Sequence, residues 1–543
     1  MEDRIMKSSK RVTTKILNKI RISLFLQVIL VFTCNVVYSQ TPDPTISTLF
    51  QNSYKVIDAM RLYGGIYLDA MSLGSDIKPA ALNANGVGLI SLCIADAMYK
   101  KTGDAVNWDA NAESKALTTI NEWIRLKNTP GATNVNGLFH RYFKPTDGSI
   151  AWANVTEHST IDNAILAAGF LFCKNYFHTN TEIVAKTTTL LNSMDFTAAL
   201  SATGDRLYMI LDDKGVASAP VYPFNEYLVL AWFAKNSNPS FAGYANAQTY
   251  WDNKFSNTNN LLKYNYPAGN PTLSEWTNKA QPSFHVQFCF YYCNYFGTSS
   301  DYMTYFSNMA TADKTWWNTT TGQQTAWGCG AGENPGGDYS ANAVNNNPTT
   351  IVSPHIIAGF SPTNPEVRND LIALYAEGKG SGVYKIPGTN REFLWRYFFN
   401  QPTLRTSFVQ AVDFSTMLYG LAALPEYLGA GFFTTYNDFN YNPTSTTDLQ
   451  QDRGLLENYP NPFTNQTNIQ FQLTNKSKVN IEIYSIDGQK VKQLVNEQMI
   501  AGKHSVTWNA RNEANSPVQP GTYICRMVIA NKAGQVTRML IVK

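Results

Sequence analysis

From Ser159 to Phe177 the chain reads STIDNAILAAGFLFCKNYF, an apolar run with no polar face and one carboxylate, Asp162, near its start. EYLVLAWFA (226–234) and FHVQFCFYYCNYF (284–296) are equally apolar all round. Helices of that kind are enclosed on every side, whereas a helix lying on a surface keeps a polar face. Spacing of 3.6 residues predicts further helices over 46–63, 86–101, 112–125, 181–192, 247–255, 301–317, 366–378 and 408–428. The enclosed stretches extend to 159–178, 223–235 and 282–297. Enclosed and amphipathic helices alternate over almost 400 residues. That alternation predicts two concentric layers, an (α/α)6 barrel with an inner ring of helices sheathed by an outer one. An α-solenoid is the competing architecture, but no fixed repeat period supports it.

After about residue 434 the pattern changes. TTYNDFNYNPTSTTDLQQD is polar and turn-prone and reads as a linker over 434–453. NIQFQL, KVNIEIYSI, HSVTWNA and GTYICRMVIA then alternate apolar and polar residues with period two, separated by turn signals such as Asp487–Gly488 and Pro520–Gly521. They predict a small antiparallel β-sandwich of immunoglobulin-like type over 454–543. At the other end, a basic segment (Lys7, Lys10, Arg11, Lys15, Lys19, Arg21) precedes the apolar run Ile22–Val37, followed by small and polar residues. This is the layout of a signal peptide over 1–40 with cleavage near Ser39–Gln40. A single membrane anchor is the alternative, although the run falls short of the ~20 residues needed to span a bilayer. No later stretch is long and apolar enough to span, so no membrane span is expected after signal removal.

Composition narrows the function. Charged residues make up 15% of the 543 and aromatic ones 13%, with a formal net charge of +3. A charge so small on a chain so long gives no basis for nucleic-acid binding. Ring-rich, charge-poor chains suit sugar binding, and equally suit a large core. Of seven cysteines, Cys34 leaves with the signal, and the others show no zinc-type spacing. Cys289 and Cys293 lie four apart and are able to pair, but buried free thiols are the simpler expectation. No metal, cofactor or required disulfide is expected. There is no G-x-S-x-G elbow, phosphate loop, dinucleotide glycine pattern or H-E-x-x-H.

The C-terminal segments LLENYPNPFTNQTNIQF, VNIEIYSIDGQKVKQLVN, AGKHSVTWNA and GTYICRMVIANKAGQVTRMLIVK resemble the C-terminal sorting domains of the Bacteroidota type IX secretion system. The resemblance implies export through that machinery and a location outside the cell or on its outer surface. A carbohydrate-binding module is the alternative for such a sandwich. In the helical part, the enclosed runs above, then WGCGAGENPGGDYSANA, TTIVSPHIIAGFSPTNPE and VQAVDFSTMLYGLAALPEY, look in this order like the glucoamylase-like (α/α)6 domain. They resemble in particular glycoside hydrolase family 144, the endo-β-1,2-glucanases. That implies a poly- or oligosaccharide substrate and, by analogy with the family, inversion at the sugar centre.

Glycoside hydrolysis needs one carboxyl group to protonate the leaving oxygen and another to activate water or attack. A charged group on an apolar inner helix is costly without a use or a partner. The acids that interrupt the enclosed helices are therefore the catalytic candidates. Asp162, Glu226 and Asp413 each head an apolar helix and match acidic positions of the family. For Asp162, helix capping is the competing role, worth about 1 kcal/mol. One turn earlier the family carries a further acid where this chain has Ser159. Glu333, in the Gly-rich loop, completes the catalytic set. Expected substrate contacts are Asp338 in that loop, Glu157 and His158 at the rim, His285, Gln287 and Arg396 as polar partners, and Trp327 as a stacking platform. Trp152, Trp232, Trp276 and Trp395 are weaker platform candidates, with core packing the simpler role. Asp212 and Asp213 read as a turn. The readings that follow are a secreted β-glucan hydrolase, a glycan-binding protein that kept the barrel but lost turnover, and a lyase on the same barrel.

Overall fold

The computed structural model describes residues 42–543 except 63, 152–156, 222–223, 276–277, 378–381, 402, 444–456, 462, 474–476, 486–488, 501, 530–531 and 542–543. The signal segment, Trp152 and Trp276 lie outside the described residues. The chain divides into two compact units between Phe439 and Asn440. The linker expected from residue 434 therefore starts later, because Gly431–Tyr436 is a helix that packs on the first unit.

In the first unit, outer and inner helices alternate. The pairs are α1 (Pro44–Asp58) with α2 (Leu82–Thr102), α3 (Ala112–Lys127) with α4 (Thr160–Tyr176), and α5 (Thr181–Ser193) with α6 (Leu228–Lys235). They continue with α7 (Tyr244–Lys254) and α8 (Phe284–Tyr292); α9 (Asn294–Thr298), α10 (Ser300–Thr321) and α11 (Pro354–Gly359); and α12 (Val367–Glu377) and α13 (Ala411–Ala422), before α14 (Gly431–Tyr436). Inner helices touch in the order α2, α4, α6, α8, α11, α13 and back to α2, closing a ring. The burial patterns explain the layering. Every residue of α4 from Thr160 to Cys173 is buried, whereas outer α5 buries Ile183, Thr187 and Leu190, one stripe at helical spacing. Two glycines let α2 and α4 cross in backbone contact. A Cβ on Gly86 would stand 2.2 Å from the Ile165 carbonyl oxygen, and one on Gly169 would stand 2.7 Å from Gly86 Cα.

Short strands lead into four of the inner helices: Ala80–Ala81 into α2, His158–Ser159 into α4, Ile351–Val352 into α11 and Phe408–Gln410 into α13. Each pairs with a strand from another loop, respectively Tyr142–Phe143, Leu207–Leu211, Tyr397–Phe398 and Ala70–Ser72. These ladders anchor the N-terminal ends of the inner helices to the surrounding loops.

Three helix expectations are corrected. The helix expected from 223 begins at Leu228, with residues 224–227 forming a turn. The one expected over 282–297 breaks at Cys293, whose extended backbone (φ −139°, ψ 116°) separates α8 from α9. In the 408–428 segment, residues 408–410 are strand. Helix α11 was not anticipated, since six residues are too few to display a period.

The second unit has two antiparallel sheets. One is ordered Glu457–Tyr459, Thr467–Leu473, Gly502–Trp508; the other is ordered Lys490–Met499, Ser477–Ser485, Gly521–Ile529, Lys532–Ile541. Ile469, Phe471 and Trp508 from the first share one core with Val479, Ile481, Ile483, Cys525 and Met527 from the second. Strand 490–499 escaped the sequence pattern because it is an edge strand with only Val495 fully buried. No helix among the described residues is long and apolar enough to cross a membrane.

Candidate active site

Inner helices begin with polar side chains on an otherwise apolar ring. Asn83 is the second residue of α2, Asp162 the third of α4, His285 the second of α8, His355 the second of α11 and Asp413 the third of α13; Glu226 stands two residues ahead of α6. At these positions the free N–H groups and the helix dipole favour a carboxylate by about 0.3–1 kcal/mol.

Asp413 is buried, and burial pushes its carboxyl up to about 7 against the pull of the nearby Arg396 charge. The Tyr339 hydroxyl lies 3.2 Å from both its oxygens. The charges of Asp69 and Glu226 are close enough to raise it further. Glu226 is pushed the other way. Burial raises it, but the charge and hydrogen bond of His285 outweigh that and hold it below the usual carboxylate range. His285 Nε2 lies 2.8 Å from Glu226 Oε2, and about 26% of the Glu226 side chain is open to solvent.

Asp162 sits in a polar corner. Asn83 Nδ2 donates to its Oδ1 at 2.9 Å, and Arg141 Nε makes an ion contact with Oδ2 at 2.9 Å. Arg141 also donates to Glu157 at 2.9 Å. Ser159, standing where the family has an acid, is the N-cap of α4, its hydroxyl accepting from the Asp162 N–H at 3.4 Å. Asp69 joins this corner. Its carbonyl accepts from the Ala411 N–H at the head of α13 at 2.9 Å. Burial and the Asp162 charge push its carboxyl up to about 6. Asp162, Asp69, Asp413 and Glu226 thus form a chain of electrostatic neighbours around one rim.

The Gly-rich loop closes one side as a hairpin of Ala331–Glu333 with Tyr339–Ala341. Glu333 is buried and accepts from the Ser407 N–H at 2.7 Å, while its own N–H donates to Gln410 at 3.0 Å. Burial raises its carboxyl. Asp338 is exposed near the hairpin turn, its carbonyl accepting from the Asn334 N–H at 2.6 Å. Tyr339 exposes 59% of its surface while its hydroxyl reaches Asp413, so its ring offers the face expected of Trp327.

Four expected substrate contacts are corrected. Trp327 is a core ring: its N–H donates to Asp370 at 2.8 Å and its face stacks on Phe360. Gln287 is fully buried and donates to the Ile356 carbonyl at 2.8 Å, bridging α8 and α11. Arg396 is fully buried, its fork spent on the hairpin. It donates to the Gly332 carbonyl, to those of Ser340 and Gly330 at 3.2 Å, and to Asn342 at 2.6 Å. It holds the loop. His158 is fully buried and its Nε2 lies 3.0 Å from Asp213 Oδ1. Trp232 and Trp395 are buried as well.

Sequence reasoning missed Asp69, Arg141 and Tyr339. None heads an apolar helix: Asp69 and Arg141 lie in loops between short strands, and Tyr339 starts a strand of three residues. Of the Asp212–Asp213 turn, Asp212 makes the turn, accepting from the N–H groups of Lys214 and Val216. Asp213 instead faces His158 and His140.

A family model for the secretion system C-terminal sorting domain matches residues 457–543. That domain marks the chain for secretion or cell-surface attachment. Comparison with curated proteins gives no match. Among solved structures, the fold is similar to a Bacteroides fragilis NCTC 9343 protein provisionally named a glucoamylase (14% identity, TM-score 0.60, 77% of this chain and 98% of that one). A Bacteroides uniformis ATCC 8492 protein, likewise provisionally named, gives 13% identity, TM-score 0.59 and coverage of 75% and 96%. The endo-β-1,2-glucanase of Chitinophaga pinensis, in complex with sophorotriose and glucose, gives 13% identity, TM-score 0.56 and coverage of 73% and 97%. The first unit therefore has the α-rich barrel fold of glucoamylase-like and β-1,2-glucanase structures.

Proposed function

We propose that the protein is an exported glycoside hydrolase that cleaves a β-glucan, β-1,2-linked, by carboxyl acid/base chemistry at the rim of the barrel. One observation carries this reading: Asp413 and Glu226 share a rim and are pushed in opposite directions, one up to about 7 and the other below the usual range. At neutral pH that leaves one carboxyl able to give a proton and one able to accept it, the division glycoside hydrolysis requires. Asp162, held by Arg141 and Asn83, and Glu333, held by Ser407, support the site, with Glu157, His285 and Asp338 as polar partners for sugar hydroxyls. Tyr339 takes the stacking role. The β-1,2 linkage rests on the fold shared with the Chitinophaga pinensis enzyme. A cleavable signal at 1–40, the type IX machinery and an immunoglobulin-like sandwich complete the proposal.

The second reading is a surface glycan-binding protein on the same barrel. The observation that favours it is Ser159, a helix cap where the family has an acid. Incubation of the purified chain with linear and cyclic β-1,2-glucan and with β-1,3-, β-1,4- and α-1,4-glucans separates the two. New reducing ends from β-1,2-glucan alone support the first. Retention of a glucan without release supports the second. Activity confined to another linkage removes the substrate assignment.

A further inference from the structure

His140, His158 and Asp213 come from three separate segments and bring one ligand atom each within 4.8 Å of one another. His158 Nε2 stands 3.0 Å from Asp213 Oδ1, and His140 Nε2 stands 3.5 Å from the same oxygen. Zinc holds imidazole nitrogen and carboxylate oxygen at about 2.0–2.1 Å, so adjacent ligands in a tetrahedron lie about 3.3 Å apart. The two measured separations bracket that edge. The imidazoles lie side by side, ring centroids 4.3 Å apart and tilted 49°, without hydrogen-bonding each other. Both imidazoles are buried. Asp213 is about half exposed, which leaves room for a water as a further ligand. Two neutral imidazoles and one carboxylate suit zinc over calcium or magnesium, which take oxygen ligands.

We propose that His140, His158 and Asp213 form a zinc-type divalent metal site that clips three rim segments together. Its position gives the clip a use. His140 precedes Arg141, and His158 follows Glu157, and the Arg141 N–H donates to the Glu157 carbonyl at 3.2 Å. Arg141 makes the ion contact with Asp162. A metal bound behind this ladder fixes the arm that orients Asp162. The ligands lie far apart in the chain; the pairing of His158 with Leu211, and the Val135 N–H donated to the Asp213 carbonyl at 3.3 Å, bring the Asp213 turn beside the two imidazoles. Spacing along the chain therefore carries no metal-site signal here.

The test uses the full-length chain without a histidine tag, stripped with a chelator and dialysed. Zinc chloride is titrated by calorimetry, with calcium and magnesium chlorides as comparisons, and thermal unfolding is followed in parallel. One zinc per chain is expected, with a rise in Tm that neither other cation gives. Asp213→Asn changes a half-exposed carboxylate, so it leaves the metal-free Tm unchanged while weakening zinc binding at least tenfold; His140→Ala abolishes it. Failure of the native chain to bind one equivalent of zinc overturns the proposal. So does binding unchanged by Asp213→Asn, which decides the matter even where His140→Ala does not fold. Glucan cleavage is not part of the readout, so the result stands apart from the proposed hydrolase activity.

Discussion

Tyr339 sets its hydroxyl 3.2 Å from each carboxyl oxygen of Asp413. The donated hydrogen bond favours the ionised carboxylate and partly opposes the burial that pushes Asp413 up to about 7. With Asp413 as the proton carrier, kcat/KM falls as pH rises through about 7. Tyr339→Phe removes the opposing bond, so this alkaline limb moves to higher pH. A pH–rate profile checks it. A limb that stays in place would show that Asp413 does not control the fall.

On the other side of the rim, His285 holds Glu226 ionised across 2.8 Å. His285→Asn removes the interaction that opposes burial, so the Glu226 carboxyl rises. The acid limb of kcat/KM then moves to higher pH, with a loss of about 10–100-fold at pH 6, at the lower end of what acid–base groups contribute. An unchanged acid limb contradicts the pairing.

Asp413 also links stability to pH. Its carboxyl is raised from an ordinary 3.8 to about 7 in the folded chain. The native state therefore prefers the protonated form, and the associated stability is present below about pH 4 and lost as pH rises through 7. Asp413→Asn removes this loss. The stability of the variant relative to the native chain should increase between pH 4 and pH 8 by roughly 1–3 kcal/mol, one pKa unit being about 1.4 kcal/mol. Denaturant unfolding at the two pH values measures it, and a constant difference refutes the burial argument.

The α2–α4 crossing predicts a sharp contrast between two glycines. Gly86→Ala drives a methyl group into the Ile165 carbonyl 2.2 Å away, whereas a Cβ on Gly64 meets nothing within 4 Å. Overpacking of this kind costs about 1–3 kcal/mol. Gly86→Ala should lower Tm by several degrees and Gly64→Ala should leave it nearly unchanged. Equal effects would mean that the helices separate freely at this crossing.

Arg396 makes a comparable test of the hairpin. Its planar fork reaches the Gly330, Gly332 and Ser340 carbonyls and Asn342 together, which a lysine ammonium cannot do. Arg396→Lys should loosen the loop that carries Glu333 and Tyr339, and raise KM more than it lowers Tm. Proteolysis of the 331–341 segment under native conditions reads the loosening. Native-like resistance there contradicts the role.

The barrel was readable in the sequence wherever a helix was long enough to show its period. Enclosed α4 and striped α5 announce inner and outer layers, and the acids at the heads of α4 and α13 stand out against apolar runs. The short elements were not readable. Helix α11 and the two- and three-residue strands have too few residues for a period, so Asp69, Arg141 and Tyr339 carried no local signal. Trp327 was misread for a related reason. Its place beside the Gly-rich loop pointed to a stacking platform, but its N–H donates to Asp370 and its face stacks on Phe360, and both contacts are distant in sequence.

The most direct test of the account is release of reducing ends from linear β-1,2-glucan at pH 6 by the native chain, Glu226→Gln and Asp413→Asn. Glycan binding by each is measured alongside. The account expects release by the native chain and a fall in kcat of about 10²–10⁴-fold in each variant with binding retained. Release that survives both substitutions, or a native chain that binds the glucan and never cleaves it, contradicts it.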